Sequence, residues 1–122
     1  MAEAGDKESQ FHMGLVYEPG TQTGQLARVK QDYVESAKWY RKAAEQDHHA
    51  AQLYLGCYYG QGKGVPLDFV EALKWILLAK RGNPKDNFAA NEQQTILEGL
   101  MSGFDIDKAR VMALEFADKR EE

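Results

Sequence analysis

LGCYYGQGKGVPLDFVEALKWILLAKRG, residues 55–82, decides how this chain is read. It joins a stretch of small and aromatic residues to a glycine-punctuated loop. Asp68 then opens a second stretch that carries Ala72, Trp75, Ile76 and Ala79. Those four fall at i, i+3, i+4 and i+7, which is one face of an α-helix. The pattern stands once upstream, where Asp32, Ser36, Trp39, Tyr40 and Ala43 precede their counterparts by 36 residues. A further shift of 37 meets Asp105, Ala109, Met112, Ala113 and Phe116. Self-similarity at such a period marks an array of helical units.

The start signals repeat as well. Asp32 precedes Glu35 by three and Asp68 precedes Glu71 by three, an Asp-x-x-Glu form of the capping box. The aspartate oxygens can accept from first-turn amides, and both carboxylates suit the positive end of the helix dipole. Ser102 with Asp105, or Asp105 alone, serves the third copy. The partner helices are marked by Met13, Gly14 and Tyr17, which return 42 residues later as Leu55, Gly56 and Tyr59. Glycine inside a helix costs about 1 kcal/mol against alanine, so a repeated one implies close approach of the neighbouring helix. The expected helices are 7–18, 32–46, 49–60, 68–81, 87–101 and 105–119. With no strand-like alternation, the fold class is all-α. The offsets differ because the first connection, Glu18 to Gln31, is 14 residues long and the second, Gly60 to Leu67, is eight. Extra loop length costs little entropy, and long loops in compact domains are often functional.

At 122 residues the chain is one domain by size, able to bury roughly two thirds of its unfolded surface. Its 43% hydrophobic and 28% charged residues are an ordinary globular composition. Fifteen basic against 19 acidic residues give a net charge of −4, which argues against general nucleic-acid binding. The longest apolar run, Trp75 to Ala79, falls far below the ~18 residues of a membrane span. The opening MAEAGDKESQ is polar and acidic and does not resemble a signal peptide. Cys57 is the sole cysteine, which leaves no internal disulfide. Beside Leu55, Gly56 and Tyr58 it suits a small apolar filler better than a reactive thiol.

On these residues the chain resembles the Sel-one-like repeat, a relative of the tetratricopeptide repeat. The family pattern of Leu-Gly, Tyr, a Gly-x-Gly-Val loop, Asp, Ala, Trp and a closing Ala is met by Leu55, Gly56, Tyr59, Gly62, Gly64, Val65, Asp68, Ala72, Trp75 and Ala79. WYRKAAEQ, residues 39–46, matches the usual helix ending. The first copy departs from the pattern, with a longer loop in place of the Gly-x-Gly pair and Asp47 where glycine is usual. The resemblance implies a right-handed α-α solenoid over residues 1–122. Repeat one would span about 9–47, repeat two about 50–82, and a degenerate capping hairpin about 87–119. It also implies a concave surface lined by the first helix of each pair, and a scaffold or adaptor role rather than a substrate. Family members act in the periplasm, the cytoplasm and the endoplasmic reticulum, so the compartment stays open.

No chemical motif competes with that expectation. GQGKG, residues 60–64, lacks the Ser or Thr after Lys63, lacks the upstream glycine of a phosphate loop, and follows a helix rather than a strand. His48 and His49 are adjacent and point apart on a helix, and with His12 as the third histidine no metal spacing is present. No Gly-x-Ser-x-Gly elbow occurs. Some cysteine-rich relatives are described as binding or hydrolysing β-lactams, but they staple each hairpin with a cysteine pair that this chain lacks. The expected function is a module that binds another protein or peptide without a cofactor, metal or catalysis. The alternatives are such a β-lactam enzyme and a self-associating scaffold. Aligned on the repeated glycine, Gln10, His12 and Val16 correspond to Gln52, Tyr54 and Tyr58. These residues are expected to face the concave groove, with Asn91 and Gln94 added from the fifth helix, and tyrosine suits such surfaces.

Overall fold

The computed structural model describes residues 6–19, 32–82 and 87–121. Among them are six helices and no strand: α1 (Lys7–Tyr17), α2 (Tyr33–Glu45), α3 (His49–Gln61), α4 (Phe69–Ala79), α5 (Phe88–Leu100) and α6 (Gly103–Glu121). The architecture is an all-α, right-handed solenoid. α1 pairs with α2 and α3 with α4 as tight hairpins, and α3 also lies on α2. The insertion inferred in the first loop falls largely on residues 20–31, outside the described residues.

The repeated glycines sit where the helices cross. A Cβ on Gly14 would strike the buried ring of Tyr40. One on Gly56 would come within 2.8 Å of Ile76 and 3.0 Å of the Ala72 carbonyl oxygen. Tyr40 and Ile76 are the same column of the 36-residue repeat, so the hairpin contact itself is repeated.

Asp32 and Asp68 cap their helices as the spacing predicts. The Asp32 carboxylate accepts from Val34 N–H at 2.8 Å, and that of Asp68 from Glu71 N–H at 3.1 Å. The other half of the box is replaced. The Asp32 amide donates to the Tyr17 carbonyl at 2.8 Å and the Asp68 amide to the Tyr59 carbonyl at 3.0 Å. Glu35 and Glu71 turn instead to Lys38 and Lys74 one turn on. The backbone amide prefers the partner helix because that bond also closes the hairpin. This explains why Tyr and Asp recur as a pair.

The remaining caps are more local. The His48 ring accepts from Ala51 N–H at 3.1 Å and so begins α3. Ser102, not Asp105, caps α6, accepting from the Asp105 amide at 3.1 Å. Asp47 takes the left-handed conformation, φ 67°, where the repeat usually has glycine. Its carboxylate is held by the Gln52 side-chain amide at 3.1 Å.

The last pair is built differently from the first two. α5 and α6 each lie on α4, and an ion pair between Arg110 and Glu98 at 3.6 Å links them to one another. Ala109, Ala113 and Ala117 are the buried face of α6, while Trp75 of α4 meets Phe116 edge-on at 5.3 Å between centroids. On the side of α6 away from α4, Phe104, Val111 and Leu114 lie exposed.

Gly14→Ala is expected to lower the unfolding free energy by about 1–3 kcal/mol through overpacking against Tyr40. Gly99→Ala, in α5 with open space around it, is expected to raise it by about 0.5–1 kcal/mol. Urea titrations of both variants beside the parent measure these effects. A Gly14→Ala protein as stable as the parent would remove close approach as the reason for the glycine.

Candidate interaction groove

The groove is positioned by a polar junction between the first two hairpins. One oxygen of Glu18, at the end of α1, accepts the Tyr40 hydroxyl at 2.8 Å and the Tyr58 hydroxyl at 2.9 Å. Ser36 donates to the Gly14 carbonyl at 2.8 Å, and its oxygen lies 2.9 Å from the Tyr58 oxygen. The Ser36 and Tyr58 hydroxyls bring two protons to three contacts, so the third is shared in turn. Around this network the rings stack. Tyr54 meets Phe11 and Tyr40 edge-on at 5.5 and 5.2 Å, and Tyr58 meets Tyr33 at 5.4 Å. Burial first, then the neighbouring Glu18, push the Tyr40 hydroxyl far above its ordinary pKa. Burial does the same to Tyr58, partly offset by Ser36.

Beyond this junction α3 and α5 touch sparingly. The approach is at Gly60, where a Cβ would stand 3.5 Å from Leu97. The space left between them on the side of the first helices is a cleft of about 370 Å³. Leu53, Tyr54, Cys57 and Gln61 form the α3 wall, and Ala89 and Gln93 the α5 wall. Glu18, Tyr33 and Lys63 stand at one end, the Lys63 ammonium 5.2 Å from the Tyr33 ring centre. Leu53 and Ala89 also border a second depression of about 270 Å³ toward His49 and Gly82, which continues the track along α3. Ile96 and Leu100, both exposed, follow Ala89 and Gln93 at i+7 and i+11. They extend the same stripe of α5 beyond the cleft. Cys57 is half-buried, and burial raises its thiol pKa, which keeps it a protonated apolar lining group.

The expected site residues divide by position. Tyr54 and Tyr58 line the cleft, but their rings are committed to stacking on repeat one. Gln52 is a correction: its exposure is 0%. Its amide donates to the Ala44 carbonyl and to Asp47, both at 3.1 Å, so it braces the α2–α3 turn. Gln10 is likewise buried and accepts from the Gln46 side chain at 2.6 Å. His12 and Val16 hold the repeat positions by which Tyr54 and Tyr58 stack on the preceding hairpin. Both lie outside the cleft lining. On α5 the face differs too. Gln94 is bonded to Lys80 at 2.6 Å and to Glu98 at 2.9 Å, and Asn91 is exposed, whereas Ala89 and Gln93 turn into the cleft. The cleft lining also holds Leu53, Cys57, Gln61, Ala89 and Gln93, which the sequence expectation did not name. The i, i+4, i+7, i+11 run of Ala89, Gln93, Ile96 and Leu100 was the available signal for α5.

The GQGKG segment forms a turn at this end of the cleft. Gly62 and Gly64 have φ of 68° and 73°, and a Cβ on Gly64 would collide with the Tyr33 carbonyl. Among the described residues no group of three or more His, Cys, Asp or Glu side chains is placed to hold a metal. No described helix is long and apolar enough to cross a membrane.

The sequence profile of the Sel1 repeat matches residues 7–48 and 49–84. The chain belongs to the Sel1 repeat family. Two solved Sel1-type structures share its fold. One is a protective antigen present in uropathogenic Escherichia coli strains, with 31% identity and a TM-score of 0.83 over 98% of this chain. The other is a Sel1 repeat protein from Oxalobacter formigenes, also 31% identical, with a TM-score of 0.66 over 97% of this chain. The chain spans 24% and 46% of their respective lengths. Among curated proteins no sequence match is found. Sel1 repeats typically build protein–protein interaction scaffolds and are generally non-catalytic.

The two junction tyrosines make stability sensitive to alkali. Unfolded tyrosine ionises near about pH 10, and both groups are raised above that when folded. The stability they contribute is complete below about pH 10 and is lost as pH climbs from there toward the folded values. Melting temperatures followed upward from about pH 8 should fall steeply past about pH 10, and less steeply in Tyr58→Phe. An unchanged alkaline limb in that variant would contradict burial of the Tyr58 hydroxyl.

Proposed function

We propose that this Sel1 chain is a non-catalytic adaptor that takes an apolar segment of another protein into the cleft between α3 and α5. The observation that carries the reading is the separation of these two helices. Apolar and amide side chains line a track in the family's interaction-bearing layer, where packed side chains would otherwise fill it. Leu53, Cys57 and Ala89 offer apolar contact along the track. The Gln61 and Gln93 amides can pair with an incoming main chain, which is what an extended or helical segment presents to a groove. Tyr54 and Tyr58 form the floor of this site and fix its shape, and Lys63 and Glu18 set the charge at one end.

The test must block the cleft without disturbing the junction, so substitution of Tyr58 is unsuitable. Ala89 is exposed on α5, and arginine is a good helix former there. Peptides selected by display against the full chain should be rich in apolar residues. Ala89→Arg should weaken them by tenfold or more, about 1.4 kcal/mol, at unchanged melting temperature. Thr95→Arg, on the exposed opposite side of α5, should bind as the parent does. Equal binding by parent and Ala89→Arg would move the site off the cleft.

A further inference from the structure

α5 is seated by polar groups where α4 is seated by apolar ones. It buries only Ala90 and Leu97, whereas α4 buries six residues. Ala90, Gln94 and Leu97 stand at i, i+4 and i+7, on one face of the helix, so a side-chain amide occupies the middle of the inner stripe. Lys80, just past the end of α4, donates from its ammonium to the Gln94 side-chain oxygen at 2.6 Å. Its carbonyl accepts from the Asn87 side chain at 2.8 Å, and Asn87 spends its amide there rather than on capping α5. The Gln94 side-chain nitrogen donates to Glu98 at 2.9 Å, and Glu98 meets Arg110 of α6 at 3.6 Å. α5 is therefore tied on the side of α4 and α6, while Ala89 and Gln93 stand on the cleft side.

We propose that Lys80 and Gln94 are positioning residues for the cleft: their bond fixes α5 on α4 and keeps it from settling against α3. An apolar side chain at position 94 would be drawn inward by burial. An amide bonded at both its oxygen and its nitrogen gains nothing by leaving its partners, and burying it without them costs free energy. A helix with few buried apolar contacts belongs to the least stable part of a fold, so this one tie decides where the wall stands. It also accounts for the sparing contact between α3 and α5, which is confined to the approach of Leu97 to Gly60. The effect on affinity rests on the cleft being the binding site, whereas the effect on helix separation stands without it.

Double electron–electron resonance measures that separation between spin labels on Ala50→Cys of α3 and Glu92→Cys of α5, both exposed, in the full chain with Cys57→Ala. Gln94→Leu should shorten the mean separation without lowering the melting temperature. Lys80→Met should broaden the distribution, and Lys80→Arg, which keeps a donor, should reproduce the parent. With Cys57 restored and no labels, display-selected peptides should bind Gln94→Leu and Lys80→Met about three- to tenfold more weakly, the worth of one hydrogen bond. A separation unchanged in both Gln94→Leu and Lys80→Met would overturn the proposal. So would Lys80→Arg behaving as Lys80→Met, or a lowered melting temperature at unchanged separation, which is what a merely structural tie gives. A changed separation at unchanged affinity would uphold the positioning role and remove the cleft as the binding site.

Discussion

Glu18 receives the Tyr40 and Tyr58 hydroxyls on a single oxygen, and this shared acceptor sets the second hairpin against the first. Tyr40 comes from α2, Tyr58 from α3, and the carboxylate from the last turn of the α1 hairpin arm, so three helices meet at one point. A charged acceptor makes stronger hydrogen bonds than a neutral one. The angle of α3, and with it the wall of the cleft, follows from this contact. Its cost is a buried polar network that tolerates little change: removing one member would leave the others unsatisfied.

The rest of the fold follows from repeating a hairpin whose closure is also polar. The Asp amide of each second helix donates to the Tyr carbonyl of each first helix, while glycine lets the helices cross closely. Neither device needs a large hydrophobic core, which a chain of this size could not supply in abundance. The third pair lacks the Leu-Gly and Trp landmarks. Without a glycine crossing to draw α5 onto α6, both helices settle on α4. Two consequences come from that one deficiency: the open side of α5 faces the cleft, and the outer side of α6 keeps its apolar residues in solvent.

The periodicities of 36 and 42 made the hairpins legible in the sequence, because each column corresponds to a contact that recurs in space. Helix starts were legible where an aspartate preceded the pattern. The His48 cap was not, since histidine accepts only through one ring nitrogen and carries no general capping signal. The groove was legible in layer and illegible in detail. Tyr54 and Tyr58 lie on the first-helix side as expected, but in a stacked array such positions are used to meet the preceding repeat, and their counterparts His12 and Val16 have none of the described repeats to meet. Gln52 resembled a surface residue because its two acceptors come from a turn that periodicity does not describe. On α5, with no landmark to set the helical phase, the expectation fell on Asn91 and Gln94, whereas Ala89 and Gln93 line the cleft.

The central claim is that the space between α3 and α5 receives the bound segment. The most direct measurement is an amide chemical-shift map of the isotope-labelled full chain titrated with a bound peptide. The account predicts that the largest shifts fall on Leu53, Cys57, Gln61, Ala89 and Gln93, with the outer face of α6 unmoved. Shifts concentrated on α6, or on the exposed surface of α2, would contradict it and place recognition on another face of the solenoid.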